Sequence, residues 1–559
     1  MHARVSCFAA VPVEVERLSA LIQRAKGEFP IAGHPSGLAA SPRCEQGSRI
    51  SECLPYRRSL PRLTPSICHP SATGALQIRV QGANHGISSA MSERTVKPPD
   101  VTMAVEVKEL LTNVAQRAAT YIAAVPERRV APSAEDVERL RVLGGPVPQA
   151  PTAAAEVLRL LDEIGSPATV TSTGSRYFGF VTGGVLPTAL AANWLAGAWD
   201  QNAVFTVMSP VAAALEEIAL GWLREIFALP GTCGAGFVTG ATMANFSCLA
   251  AARSALLRRA GWNVEEQGLF GAPELKVIVG AEVHVSALKA LCLLGLGRSR
   301  VTVVPADSQG RIRADLLPQL DDRTIVCLQA GNVNTGGFDP AAEICSHARH
   351  SGSWVHVDGA FGMWAAAAPE RAHLFRSFVE ADSWATDCHK WLNVPYDSGL
   401  AFVRDAAYLR NVMAMSAGYL QASDARQPAH YTPDASRRAR GIEVWAALKS
   451  LGLSGLAEMV ERHCRLAERF AKGLIQAGCE VLNDVVLNQV LVSFGDGALN
   501  REIIAAIQKD GTCWCGGTEW QGKPAMRISI SCWSTREEDV DRSLAAITQI
   551  AKMWRSRSQ

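Results

Sequence analysis

The feature that most constrains this chain is a stretch of alternation. Between residues 232 and 405, short β-type runs follow one another, separated by helical or turn-rich sequence. Gly236-Phe237-Val238 leads into a helical pattern over 242–259, and Lys276-Val277-Ile278-Val279 into another over 286–294. Val301-Thr302-Val303-Val304, Thr324-Ile325-Val326-Cys327-Leu328 and Trp354-Val355-His356-Val357 follow. This pattern predicts an α/β fold: a mostly parallel central sheet covered by helices on both faces. In such sheets functional residues gather at the carboxyl ends of strands.

The flanks read differently. Amphipathic patterns over 105–122, 134–143 and 153–164 predict helices. The apolar run 185–199 contains Pro187 and Asn193 and is too short to span a bilayer comfortably, so it predicts a buried helix. Residues 1–95 are punctuated by Pro, Ser, Arg and Cys with weak hydrophobic periodicity. They are expected to be a disordered or non-native extension, with the folded protein starting near Met91 or Met103; Glu14, Glu16, Glu28 and Glu45 argue against a transit peptide. The expected organisation is the extension over 1–95, a helical arm and substrate-lining segment over 96–195, and a large domain over 196–420. A mobile loop and a small α+β domain follow over 421–559, with helices at 441–451 and 455–477 and strands at 490–494 and 526–531.

Bulk numbers exclude some classes. A net charge of +2 over 559 residues offers no clustered basic surplus for nucleic acid. The fifteen Cys are scattered without repeated CxxC pairs, and no secretory signal opens the chain, so reduced thiols in the cytoplasm are expected, with no metal site and no membrane span. Cys513-Trp514-Cys515 lacks a second Cys/His pair and is expected to be buried or partly exposed thiols.

Five loops fall at strand ends. Thr239-Gly240-Ala241-Thr242 opens a helix, where free N–H groups and the helix dipole favour a phosphate; a simple Thr cap is the competing explanation. The chain carries no GxxxxGK[ST], so no nucleotide-hydrolase loop is indicated. His284, in Glu282-Val283-His284-Val285-Ser286, is placed to stack on a planar cofactor, to act as an acid, or merely to cap a helix. Ser286-Ala287-Leu288-Lys289 matches SxxK without the other elements of a serine acyl-transferase, and is read as chance. The polar turn 331–340 contains Asn332. Asp358, directly after an apolar strand, is costly unless paired with a cation, either in a structural ion pair or with a ligand's pyridinium nitrogen. Lys390, in Thr386-Asp387-Cys388-His389-Lys390-Trp391, is a candidate Schiff-base lysine, the alternative being an ordinary surface lysine.

Pyridoxal phosphate needs an amine for its aldehyde, an anion opposite its ring nitrogen, a phosphate cradle and something flat against the ring. Lys390, Asp358, Gly240 to Thr242 and His284 supply these in turn. On His284, His356-Val357-Asp358-Gly359-Ala360, the stretch 387–392 and the basic run Ser436-Arg437-Arg438-Ala439-Arg440, the chain resembles the group II pyridoxal-phosphate-dependent amino-acid decarboxylases over about 105–550. The resemblance implies the type I aminotransferase-like fold, a homodimer with its active site at the subunit interface, and decarboxylation of an amino-acid substrate. It also implies a Schiff base at Lys390, pairing of Asp358 with the pyridinium, stacking of His284 and phosphate binding at Ala241 and Thr242. Asn332, Ala360, Asp387 and His389 match further cofactor contacts, and Phe180, Val181 and Thr182 the substrate-lining segment.

The chain departs from the family where a loop tyrosine returns a proton to the substrate carbon. Pro428 stands at that position, and Tyr431 or His430 is the expected substitute. Arg527 matches a carboxylate-binding arginine of aminotransferase relatives, although gripping the carboxylate opposes its departure. An aminotransferase or a carbon–carbon lyase of the same fold would share Lys390 and Asp358, and a non-catalytic scaffold could retain the fold.

Overall fold

The computed structural model describes residues 107–414 and 426–558. The chain divides into Met1–Val96 and Lys97–Gln559, and the described residues all belong to the second unit. The extension expected over 1–95 therefore lies outside the described residues, as does the part of the expected loop that falls within 415–425.

Seven strands form the central sheet: β2 (Gly234–Val238), β3 (Lys276–Gly280), β4 (Thr302–Val304), β5 (Thr324–Gln329), β6 (Trp354–Asp358), β7 (Ser383–Asp387) and β8 (Gly399–Val403). Their order is β2-β8-β7-β6-β5-β3-β4. β4, β3, β5, β6 and β7 pair in parallel, and only β8 runs antiparallel, between β7 and β2. β2 and β5 to β8 are buried at every position, which is what a sheet covered on both faces requires. Along β6 the faces separate: Val355 and Val357 enter the cluster with Phe361 and Trp364, while Trp354 joins the alanines of the central helix Ala241–Arg259. The α/β sheet expected from the alternation is thus present, in the type I aminotransferase-like form that the resemblance implies.

A second sheet has the order β1-β11-β12-β10-β9, built from β1 (Tyr177–Phe178), β9 (Glu480–Val481), β10 (Gln489–Ser493), β11 (Trp514–Trp520) and β12 (Lys523–Ser529). β1 comes from the segment expected to belong to the helical arm, and pairs in parallel with β11. The two helices expected between 441 and 477 are present within Gly441–Gln476 and meet across a kink at Gly452. Gly452 takes φ 60°, a conformation open to glycine at no steric cost.

One expectation fails. The apolar run 185–199 does form a helix, α1 (Pro187–Trp199), but only Ala189 in it is buried. Trp194, Leu195 and Trp199 stand open on its surface. Apolar composition does not by itself say that the chain will cover a helix. Among the described residues, no helix is long and apolar enough to cross a membrane.

The stretch 426–440 is anchored by charge. Glu216 is 1% exposed and accepts from Arg437 at 2.7 Å and Arg426 at 3.0 Å. Arg437 also donates to the Phe237 carbonyl of β2. Removing one member of such a buried set leaves uncompensated charge, which costs about 3–5 kcal/mol. Glu216→Ala is therefore expected to lower the melting temperature sharply in a thermal unfolding scan, whereas an unchanged melting temperature would show the set to be dispensable.

Candidate active site

Every loop singled out at a strand end lies at the carboxyl edge of the central sheet. Gly240 follows β2, His284 follows β3, Asn332 follows β5, Asp358 ends β6 and Lys390 follows β7. Parallel strands share a direction, so residues far apart in the chain are delivered to one edge.

Lys390 is the centre of this edge. Its Nζ lies 2.9 Å from Asp387 Oδ2. Asp387, 2% exposed, turns its other oxygen to the Ala241 N–H at 2.6 Å, the first residue of helix α2 (Ala241–Arg259). The carboxylate thereby joins the amine to the helix N-terminus that was read as a phosphate cradle. Gly399 packs so tightly on Gly240 that an added side-chain carbon would lie 2.5 Å from its Cα. Burial is the largest influence on the Lys390 amine and pulls its pKa down, but Asp387, and more weakly Asp358 and Tyr396, outweigh it and hold the amine above the usual lysine value.

Asp358 has a different environment. Its Oδ2 accepts from Asn245 Nδ2 at 2.9 Å and from Ser286 Oγ at 3.3 Å, and its Oδ1 from the Ala360 N–H at 3.2 Å. Ala360 in turn accepts from the Asp387 N–H, joining the ends of β6 and β7. Among the described residues no Lys, Arg or His forms an ion pair with Asp358, so the structural ion pair weighed from the sequence is absent. A carboxylate 7% exposed and held only by neutral donors is in keeping with a cationic partner that the chain itself does not provide.

His284 caps helix α3 (Val285–Leu293), its Nδ1 accepting from the Ser286 N–H and lying 2.8 Å from Ser286 Oγ. Burial lowers its pKa, with Asp358 opposing and Lys390 and Arg527 adding to the shift. The imidazole is thus neutral and close enough to Asp358, Lys390 and Arg527 to feel all three. Ser286, discounted as part of a chance SxxK, is a structural hydroxyl between His284 and Asp358.

The segment around residue 180 is stapled onto the lysine loop. Asn393 Oδ1 accepts from the Gly184 N–H at 2.7 Å and its carbonyl from the Leu186 N–H. Gly183 lies against the Lys390 carbonyl with no room for a side chain. Val181 is buried in the core, Phe180 is exposed with φ 53°, and Phe180 stacks on Trp514 with centroids 5.8 Å apart. Tyr177 stacks on the same indole at 5.4 Å. Thr182 is hydrogen-bonded to Tyr396, a residue the sequence reading missed. The Tyr396 ring lies 4.4 Å from that of His389. Tyr396 is exposed in this chain, yet the partial desolvation of its hydroxyl raises its pKa, and Lys390 is among the charges that act on it. His389 itself accepts from the Ser398 N–H and lies over Gly240.

Four further sequence candidates have surroundings of their own. Asn332 closes its own turn, its Oδ1 accepting from the N–H groups of Asn334 and Thr335, while its Nδ2 faces Gly310. Tyr431 packs its backbone against Gly236 in the middle of β2, with the Arg426 guanidinium 4.6 Å from its ring, so within this chain it is tied to the flank of the sheet. His430 meets Phe205 edge-on and is likewise part of that flank. Arg527 is half-buried, with its pKa pushed down to about 10, donates to Asn334 Oδ1 at 3.3 Å, and forms no ion pair among the described residues.

The family model for the pyridoxal-dependent decarboxylase conserved domain matches residues 142–495. The chain belongs to this family. It is a pyridoxal-phosphate-dependent amino-acid decarboxylase, a carboxy-lyase. An aromatic-L-amino-acid decarboxylase of Bacillus atrophaeus is 25% identical over 386 residues, covering 65% of this chain and 78% of that one. Tryptophan decarboxylase 1 of Oryza sativa subsp. japonica is 27% identical over 408 residues, covering 66% and 78%. The crystal structure of Oryza sativa TDC with PLP and tryptamine superposes with a TM-score of 0.74 at 22% identity, covering 81% of this chain and 99% of that one.

An amine must be neutral to attack an aldehyde, and the candidate Schiff-base amine, Lys390, is held above its usual pKa. Uptake of pyridoxal phosphate by the cofactor-free protein, followed by stopped-flow absorbance, is therefore expected to speed up as pH rises. Asp387→Asn removes the strongest group raising that pKa, so burial prevails and the rise should move to lower pH. Superimposable profiles would refute this account of the amine.

Proposed function

We propose that this protein decarboxylates an L-amino acid at the Lys390 edge of the sheet, with Lys390 as the amine that carries the cofactor. The observation that bears most weight is Asp358, a buried carboxylate with neutral partners only, which suits a protonated ring nitrogen. Bound pyridoxal phosphate supplies an electron sink for the electron pair left when carbon dioxide departs. Asp358 keeps the ring nitrogen protonated, since a nearby opposite charge favours the charged form. The neutral His284 ring lies against the cofactor, and Ala241 and Thr242 receive its phosphate at the first turn of α2, with Gly240 giving the close approach. Asp387, Ala360 and His389 orient the Lys390 loop. Asn332 acts indirectly, by shaping the turn after β5.

Phe180, Val181 and Thr182 line the substrate side, and Trp514 extends that wall. The stack Tyr177–Trp514–Phe180 supports an aromatic substrate side chain. The uncompensated Arg527 guanidinium supports an anionic group on the substrate, as an amino acid provides. Of the two tyrosines, Tyr396 is better placed than Tyr431 to hold and return a proton near Lys390, because its hydroxyl meets Thr182 and Lys390 acts on it electrostatically. The open apolar surface of α1 supports a homodimer, the other half of which would cover it. The eleven described cysteines are all free thiols, which supports a cytoplasmic location.

Carbon dioxide release across a panel of amino acids tests the reading, with aromatic substrates expected to exceed acidic ones and diamines. Lys390→Ala is expected to abolish release, and normal turnover in that variant would remove the assignment. Asp358→Asn should lower turnover by about 10²–10³-fold with the fold retained. Tyr396→Phe is expected to lower kcat by about 10²-fold or more, while Tyr431→Phe stays near wild type; the opposite pattern would hand the proton to Tyr431.

A further inference from the structure

Side chains alternate across a strand, so β6 presents Trp354, His356 and Asp358 on one face. That face packs against α2, whose contribution there is mostly alanine and leucine. Three polar tips in such a place are tolerated only if their hydrogen-bonding capacity is met. Trp354 Nε1 donates to Ser383 Oγ at 2.9 Å. Ser383 Oγ lies 2.9 Å from His356 Nδ1, and His356 Nε2 lies 2.9 Å from Asn245 Oδ1. Asn245 Nδ2 donates to Asp358 Oδ2 at 2.9 Å. Trp354, Ser383, His356 and Asn245 are each no more than 1% exposed.

The two ends determine the direction of every bond between them. An indole N–H only donates, and an ionised carboxylate only accepts. Asn245 must therefore turn its amide nitrogen to Asp358 and its oxygen to His356. His356 Nε2 must then carry the ring proton, which leaves Nδ1 to accept from the Ser383 hydroxyl. That hydroxyl is available because Ser383 already accepts from Trp354. Burial, opposed in part by Asp358, takes the His356 pKa down to about 4, so the ring is neutral at ordinary pH. Reversing the chain would direct both Trp354 and His356 donors at Ser383 Oγ and leave the hydroxyl proton without an acceptor among these groups.

We propose that Trp354, Ser383, His356 and Asn245 form a one-way hydrogen-bond relay that positions Asp358 to face the cofactor's ring nitrogen. The four are positioning residues: they act on the cofactor only through Asp358. This rests on the reading of Asp358 as the partner of that nitrogen. Ser286 supplies a second support to the same oxygen, at 3.3 Å, and comes from a different element, helix α3.

The test compares two ligands on the full-length cofactor-free protein: pyridoxal phosphate, and its deaza analogue with carbon in place of the ring nitrogen. Only the first can use Asp358 through its ring nitrogen, so the ratio of the two dissociation constants reads that contact alone. A general packing defect weakens both ligands equally and leaves the ratio unchanged. Wild type is expected to prefer pyridoxal phosphate. In Asn245→Leu and His356→Met that preference should fall by about tenfold, with both variants folded by their thermal melting. His356→Gln still offers an N–H to Asn245 and is expected to keep the preference. If either relay variant fails to fold, Ser383→Ala breaks the chain at its far end and should show a smaller loss. Wild-type preference retained in the folded variants overturns the relay while leaving Asp358 in its role. Equal binding of the two ligands by wild type overturns the reading of Asp358 itself, and the relay with it.

Discussion

The site depends on one unusual circumstance, a buried carboxylate that the chain does not neutralise. Asp358 is surrounded by an amide, a hydroxyl and a backbone N–H, and by no cation in an ion pair among the described residues. The desolvation cost of such a group is high, and three neutral donors offset only part of it. Lys390, on which Asp358 acts electrostatically, is paired instead with Asp387. Two carboxylates at adjacent strand ends are thus divided between two tasks: one governs the amine and the other stays open to a ligand.

That division is a consequence of topology. β6 and β7 are parallel neighbours, so Asp358 and Asp387 emerge at the same edge, linked through the backbone of Ala360. The antiparallel β8 returns from the lysine loop and brings Gly399 against Gly240, which seats the first turn of α2 beside Asp387. The segment carrying Gly183 is pressed onto the Lys390 backbone and then continues into α1. The amine, the anion and the helix N-terminus are therefore held by sheet pairing and backbone contact rather than by flexible side chains.

Much of this was legible in the sequence. The alternation between 232 and 405 stated the α/β architecture, because a strand and a helix differ in period. The strand ends followed from it, and with them Lys390, Asp358 and His284. The parts that were not legible share a physical cause. Asn245 lies in the second turn of a helix with no unusual neighbours, and nothing local distinguishes it from any polar residue there. Ser286 looked like half of an unrelated motif. Tyr396 follows the lysine loop in a turn, and its approach to Thr182 depends on how two distant segments pack. Tyr431 was singled out by chain position, whereas the Arg426–Glu216–Arg437 set ties its stretch to the flank of β2.

The sequence by itself determined the chemistry available: an amine, a carboxylate and an imidazole, each directly after an apolar run. Local pattern suffices for that, since periodicity and strand ends are properties of consecutive residues. Tertiary structure alone decided which groups meet, which carboxylate takes the lysine, and which way the bonds behind Asp358 point. It also decided that α1 presents its apolar residues outward and that Tyr177 and Phe178 complete a sheet formed some three hundred residues later. Hydrogen-bond direction and long-range pairing are properties of groups brought together, and no window along the chain contains both partners.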